Sequence, residues 1–69
     1  MYDMWTVIYI APSLRLAEKI CEQLAAQGFL VKYRQSDASK QQYEILVPES
    51  ELEDVRESWN VILHSSLSN

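Results

Sequence analysis

The sequence contains one glycine, one cysteine and one histidine among 69 residues. One cysteine cannot form an internal disulfide, and one cysteine with one histidine cannot complete a structural zinc site. A single glycine cannot build a glycine-rich phosphate loop. A chain this short also has no room for a second domain or a large cofactor enzyme. We therefore expect one small domain, residues 1–69, without a metal or a cofactor, for which a partner chain is the remaining ordinary source of stability.

The charge balance and the apolar runs exclude two further classes. A net charge of −4 argues against nucleic acid, which selects a basic face that releases counterions from phosphates. The longest apolar runs, such as residues 7–11, are far shorter than the ~20 residues that span a bilayer. No basic segment with a cleavage site is visible at the start, and one unpaired cysteine fits a reducing compartment. We expect a cytoplasmic protein with no membrane or nucleic-acid partner.

The first half of the chain predicts a strand followed by a helix. Residues 4–10 are aromatic and β-branched, which favours a strand, and Pro12 ends it. Ser13 is a suitable N-cap for the helix that follows. Gly28 comes directly after the last periodic residue, where a helix often needs a left-handed residue. The apolar stripe of this helix consists of Leu16, Ala17, Ile20, Cys21, Leu24 and Ala25.

The second half predicts a hairpin and a second helix. Apolar and polar residues alternate over 29–34 and again over 43–47, and the polar segment 35–42 between them reads as the hairpin loop. Ser50 and Glu53 have the spacing of a capping box at the start of the second helix. The inward stripe of that helix is Leu52, Val55, Trp59, Ile62 and Leu63. We expect residues 1–3 and 65–69 to fray.

The order strand, helix, strand, strand, helix predicts an α+β fold. A right-handed crossover followed by a hairpin places the third strand between the first and second, with both helices on one face. This is a ferredoxin-like β-α-β-β-α arrangement with an antiparallel sheet that lacks its last strand. The first strand is then a sheet edge.

The first strand carries no charge from Trp5 to Ile10, and a flat uncharged edge tends to pair with another chain. We therefore expect a homodimer through this strand. Ile8, Leu30 and Leu46 would form an apolar patch on the other face of the sheet. Which residues of the first strand face the helices stays open, because both of its faces are apolar. The candidate interface residues are Trp5, Val7, Ile8, Tyr9, Leu30 and Leu46.

No residue is assigned a catalytic role. Cys21 lies in the apolar stripe of the first helix, which is typical of a small buried hydrophobe, and His64 lies in a last turn, where a cation suits the exposed carbonyls. The six acids between Glu44 and Glu57 are either a site for a metal or basic partner, or a solvated helix start that complements the helix dipole, and we favour the second.

Three cations are the candidate contacts for a ligand or partner. Lys32, Arg34 and Lys40 lie in or beside the hairpin loop and would meet an anionic ligand or an acidic partner surface. The alternative is the ordinary solvent face of an edge strand, where lysine discourages aggregation.

Three segments resemble a known family of short bacterial proteins. Residues 4–12 (MWTVIYIAP), 27–32 (QGFLVK) and 43–49 (YEILVPE) look like a prokaryotic signal-transducing family whose fold is similar to the nitrogen-regulatory PII proteins. The resemblance implies a PII-like fold and partner contact through the loop at residues 35–42. Its motifs are structural, so it carries over no functional residue. Relatives tend to begin at the residue matching Met4, which leaves the true start, Met1 or Met4, open.

Similar short proteins often carry the label glutamate decarboxylase, which this sequence does not fit. A pyridoxal-phosphate enzyme needs a phosphate cradle, a Schiff-base lysine and a partner for the pyridinium nitrogen in an enclosed pocket. We predict a small regulatory module that binds a protein partner or a small ligand. The alternative is an enzyme or metal site assembled across subunits from His64, Cys21 or the acidic run.

Overall fold

A computed structural model describes residues 4–67 of the chain, apart from the side chains of residues 65 and 67. The elements are β1 (Trp5–Ala11), α1 (Leu14–Ala26), β2 (Lys32–Gln35), β3 (Tyr43–Pro48), a 3₁₀ turn (Glu49–Glu51) and α2 (Leu52–Leu67). β3 pairs antiparallel with both other strands, so the order is β1-β3-β2. These observations confirm the predicted α+β class with a three-stranded antiparallel sheet and two helices.

Both ends of α1 follow the local sequence signals. The Leu16 N–H donates to the Ser13 hydroxyl oxygen at 3.2 Å, which makes Ser13 the N-cap. After the helix, the Phe29 N–H donates to the Leu24 carbonyl at 3.0 Å, and Gly28 has a φ of +91°. This is a Schellman ending, in which the left-handed residue turns the chain back so that the last carbonyls are satisfied. The same turn aims the chain at β2.

β2 is shorter than the predicted strand over residues 29–34. The Phe29 N–H is used by the end of α1, and the Leu30 N–H donates to the Glu51 carboxylate at 2.9 Å. Pairing with β3 begins only at Lys32, opposite Leu46. The Glu51 side chain, twenty-one residues further along the chain, therefore accepts the hydrogen bond that a neighbouring strand would otherwise accept.

The second helix is preceded by a 3₁₀ turn at Glu49–Glu51, and it ends later than the sequence pattern indicates. Ser50, the predicted N-cap, lies inside the 3₁₀ turn, whose own N-cap is Pro48, so helical structure begins before the predicted capping box. A proline can begin a helical turn because its missing N–H and fixed φ cost nothing there. At the other end the helix continues to Leu67. Residues 1–3 and 68–69, for which fraying was predicted, lie outside the described residues.

A β-bulge at Ile8 decides which side of β1 faces the helices. Thr6 pairs with Val47, Val7 pairs with Leu46, and the register then shifts so that Tyr9 pairs with Ile45. Val47 and Ile45 are fully buried against the helices, which places Thr6 and Tyr9 on that face and Val7 on the other. The core between sheet and helices consists of Ala11, Ala17, Ile20, Leu24, Ile45, Val47, Val55 and Ile62. Over residues 4–67, neither helix has the length and apolar character needed to cross a bilayer.

Candidate functional site

The outer edge of β1, called the β1 edge below, is the edge of a seven-residue strand and has no sheet partner in the described structure. β1 pairs with β3 on one side only, because it is the first strand in the order β1-β3-β2. Its seven residues, Trp-Thr-Val-Ile-Tyr-Ile-Ala, include no charge. Unpaired N–H and C=O groups along such an edge are a template for another strand.

The sheet face that points away from the helices, called the open face below, carries apolar side chains beside this edge. Trp5, Val7 and Ile10 are 38%, 41% and 49% exposed, and they alternate with the helix-facing residues of β1. Leu46, in the middle of the sheet, is buried beneath its neighbours. The Lys32 ammonium lies 4.3 Å from the centroid of the Trp5 ring, a cation–π contact that reaches across β3.

A groove of about 410 Å³ lies between β1 and α2. Its lining residues are Thr6, Val7, Ile8, Leu52, Val55, Arg56 and Trp59. The Trp59 ring packs on Tyr9 with centroids 5.5 Å apart and closes one end of the contact between strand and helix. Ile8, the bulge residue, packs against the core. The predicted apolar patch of Ile8, Leu30 and Leu46 is therefore wrong: Ile8 turns inward, Leu46 is buried, and of the three only Leu30 is exposed.

The six candidate interface residues thus separate into three environments. Trp5, Val7 and the buried Leu46 lie on the open face, and Leu30 is 59% exposed just before β2. Ile8 and Tyr9 are partly buried against the helices.

Two of the three candidate contact cations share the open face of β2. Lys32 pairs with Leu46 and Arg34 with Glu44, so both side chains project to the same side. The Arg34 Nε lies 2.7 Å from a Glu44 carboxylate oxygen, and this ion pair is largely exposed. Lys40 lies apart from them, exposed in the loop. The structure therefore places two of these cations side by side and the third on the neighbouring loop.

The loop at residues 36–42 is held by its own serines. The Ser36 N–H donates to the Gln42 carbonyl at 2.8 Å, and the Ser36 hydroxyl accepts from the Ala38 N–H at 3.1 Å. The Ser39 hydroxyl accepts from the Gln41 N–H at 3.3 Å. The serine hydroxyls hold the loop in a turn by accepting its backbone N–H groups, so the β2–β3 hairpin closes without a glycine.

Cys21 and the acidic residues near the start of α2, the other candidates for chemistry, lie where a structural role explains them. Burial, and then the negative charge of Glu18, raise the pKa of the Cys21 thiol to about 11, so the thiolate is scarce at neutral pH. Four acids, Glu49, Glu51, Glu53 and Asp54, occupy the first turns of the 3₁₀ segment and of α2, where carboxylates complement the helix dipole. Within residues 4–67, no group of three or more acidic, cysteine or histidine side chains has a geometry that could hold a metal.

The sequence did not predict the groove, although its lining residues other than Arg56 belong to the predicted first strand and to the predicted inward stripe of the second helix. Nothing in the spacing of Leu52 and Trp59 indicates that the packing of α2 on β1 leaves a gap between them. No family model, no curated protein and no solved structure matches this chain. The resemblance to the signal-transducing family therefore stays a prediction from three segments of sequence.

Proposed function

We propose that this protein is a small cytoplasmic regulatory module of the PII-like, ferredoxin-like type that acts by binding, and that it forms a homodimer through the β1 edge. The observation that carries the proposal is the unpaired, uncharged β1 edge with apolar side chains beside it. Antiparallel pairing of β1 with its copy about a twofold axis would join two three-stranded sheets into one of six strands and remove the edge.

The size of the chain supports a second copy as the partner. A domain of about 60 residues buries only roughly 60% of the surface of its unfolded chain, so its stability alone is marginal. Pairing two β1 strands would satisfy backbone groups that otherwise face water, and would cover part of Trp5 and Val7. Dimerisation would therefore add both hydrogen bonds and buried apolar surface.

The contact surface for a further partner is proposed at the opposite edge of the sheet. Lys32 and Arg34 on the open face, with Lys40 on the adjacent loop, present positive charge on a molecule whose net charge is −4. An acidic protein surface or an anionic ligand would fit this chemistry. The scarcity of a Cys21 thiolate at neutral pH favours binding over nucleophilic catalysis.

Light scattering over a dilution series tests the dimer, with a matched pair of valine variants. We expect wild type at about twice the chain mass of 8.0 kDa and the Val7→Lys variant at the monomer mass, because each strand would bring a charge into the apolar seam. Val61→Lys is the control, since Val61 is exposed on α2 and lies outside β1. A wild-type monomer, or a dimer that tolerates Val7→Lys, would contradict assembly through β1.

A further inference from the structure

The groove between β1 and α2 has the size and the lining of a small-molecule site. Its volume of about 410 Å³ falls within the range of about 300 to 1,000 Å³ that such sites occupy. Most of its lining is apolar, and the half-buried Trp59 contributes an aromatic ring. The two polar side chains in the lining are Thr6 from β1 and Arg56 from α2. An apolar cleft with a few polar groups is typical of a ligand site, because the polar groups fix the orientation of the ligand.

Arg56 is the one charged residue in the lining of this groove. Its guanidinium forms no ion pair or hydrogen bond with any residue that the structure describes, and the same holds for the Thr6 hydroxyl. Arg34 on β2, by contrast, pairs with Glu44 at 2.7 Å. The planar N–H groups of Arg56 are therefore available to a ligand in the groove.

The acids of α2 do not share the groove face with Arg56. The groove-lining residues of the helix recur every three or four positions, which places them on one face: Leu52, Val55, Arg56 and Trp59. Glu53, Asp54 and Glu57 fall between these positions, are exposed, and are not among the residues that line the groove. A negatively charged ligand in the groove would meet Arg56 and not the acidic side of the helix.

We infer that the groove binds a small monocarboxylic acid with a compact apolar body, such as an aromatic ring or a branched chain. A carboxylate accepts two N–H groups of a guanidinium side by side, and the Thr6 hydroxyl can donate to it as well. The apolar body would lie against the apolar lining and leave water, which favours binding. Aromatic ligands would gain further from the ring of Trp59.

The lining also separates this class of ligand from its neighbours. A phosphate monoester carries up to two negative charges and three accepting oxygens, more than one cation and one hydroxyl match. A neutral apolar molecule would remove water from Arg56 and return no hydrogen bond. The inference adds a ligand to the binding module proposed above, and it depends neither on the homodimer nor on the cations of β2.

An NMR titration of the ¹⁵N-labelled protein with sodium phenylacetate, at constant ionic strength set with sodium chloride, tests the inference. We expect saturable shifts of the Trp59 indole N–H signal and of the amide signals of residues 6–8. Phenylacetamide has the same ring without the charge, and acetate has the charge without the ring. Each should bind ~10-fold or more weakly than phenylacetate, because each lacks one of the two contacts.

Matched arginine variants locate the carboxylate. Arg56→Gln should weaken the affinity for phenylacetate by ~10-fold or more, the usual scale for losing a hydrogen-bonded charge. Arg15→Gln is the control, since Arg15 is an exposed helical arginine outside the groove, and it should bind like wild type. Thr6→Val keeps the shape of the side chain and should weaken the affinity several-fold. Without phenylacetate, Arg56→Gln should melt at the temperature of wild type, so that a lost contact is distinguished from a lost fold.

Four results would overturn the inference: unsaturable shifts, equal affinity in Arg56→Gln and wild type, equal affinity for phenylacetamide and phenylacetate, or a Trp59 signal that moves with protein concentration and not with phenylacetate. The last would mean that a second copy of the chain fills the groove. Light scattering reads the mass of the protein separately. A monomer that binds phenylacetate would contradict the homodimer alone, and a dimer that does not bind it would contradict the groove ligand alone.

Discussion

The two edge strands of the sheet, β1 and β2, differ in the features that prevent pairing with another chain. β2 is four residues long, and its open face carries Lys32 and Arg34, one lying over the Trp5 ring and the other paired with Glu44. β1 is seven residues long and uncharged. Short length and inserted charge are the usual means by which proteins prevent edge-to-edge pairing, and only β2 uses them.

The difference shows which edge is available to another strand. An added strand at β2 would meet two charged side chains and have few backbone groups to pair with. At β1 it would meet apolar side chains and a longer run of unpaired backbone, interrupted by the bulge at Ile8. The central strand β3 pairs with both edges, at six positions with β1 and at four with β2, so the contrast in charge comes from the edge residues themselves.

The largest expected effect comes from a substitution in β3, the strand that pairs with both edge strands. Ile45 of β3 is fully buried and pairs with Tyr9 on one side and Tyr33 on the other. Ile45→Ala should lower the free energy of unfolding by about 2–5 kcal/mol, because it leaves a cavity in the core. Urea denaturation followed by tryptophan fluorescence measures it. Leu30→Ala, at an exposed position, should change stability by under ~0.5 kcal/mol, and an equal loss in both variants would refute the assigned core.

A smaller loss of stability is expected at Gly28, in the turn that leads from α1 to β2. Gly28 has a φ of +91°, and a Cβ placed there meets no atom within 4 Å. Gly28→Ala should therefore cost about 1–2 kcal/mol through backbone strain and not through a clash. Gly28→Asn should cost less, because asparagine tolerates the left-handed region better. Thermal denaturation of the two variants would show the ranking, and a cost for asparagine equal to that for alanine would argue against the left-handed turn.

The smallest effect concerns the charge on the β2 edge. Arg34→Gln removes the ion pair with Glu44, which is largely exposed and screened by water, so stability should fall by no more than about 0.5 kcal/mol. The difference should shrink further in 1 M sodium chloride, since salt screens exposed pairs. Chemical denaturation at low and high salt measures both. A loss of several kcal/mol would mean that this edge depends on its charge for folding as well as for protection.

Local signals in the sequence predicted the elements that depend on neighbours in the chain. Ser13 as N-cap and Gly28 as the left-handed residue follow from the needs of helix ends within a few residues. The alternation over 43–47 predicted β3, which the structure extends by one residue to Pro48. The start of β2 could not be predicted, because it depends on the Glu51 carboxylate, which comes near Leu30 only in the folded chain.

The candidate sites likewise include features that the sequence predicted and a feature that only the fold creates. Charge and apolarity along β1 and β2 are properties of sequence, and they predicted that the edge strand β1 is uncharged and that β2 carries cations. The groove depends on which side chains α2 brings against β1. No pattern within either segment contains that information.

By itself the sequence determined the class of fold, the approximate position of every strand and helix, and the absence of charge on β1, because these follow from periodicity, capping and composition. Only the tertiary structure decided which face of β1 is buried, since its two faces are equally apolar and the bulge at Ile8 resolves the choice against Ile45 and Val47. Only the tertiary structure also placed the Trp59 ring against Tyr9, because residues fifty positions apart in sequence meet where α2 packs on β1.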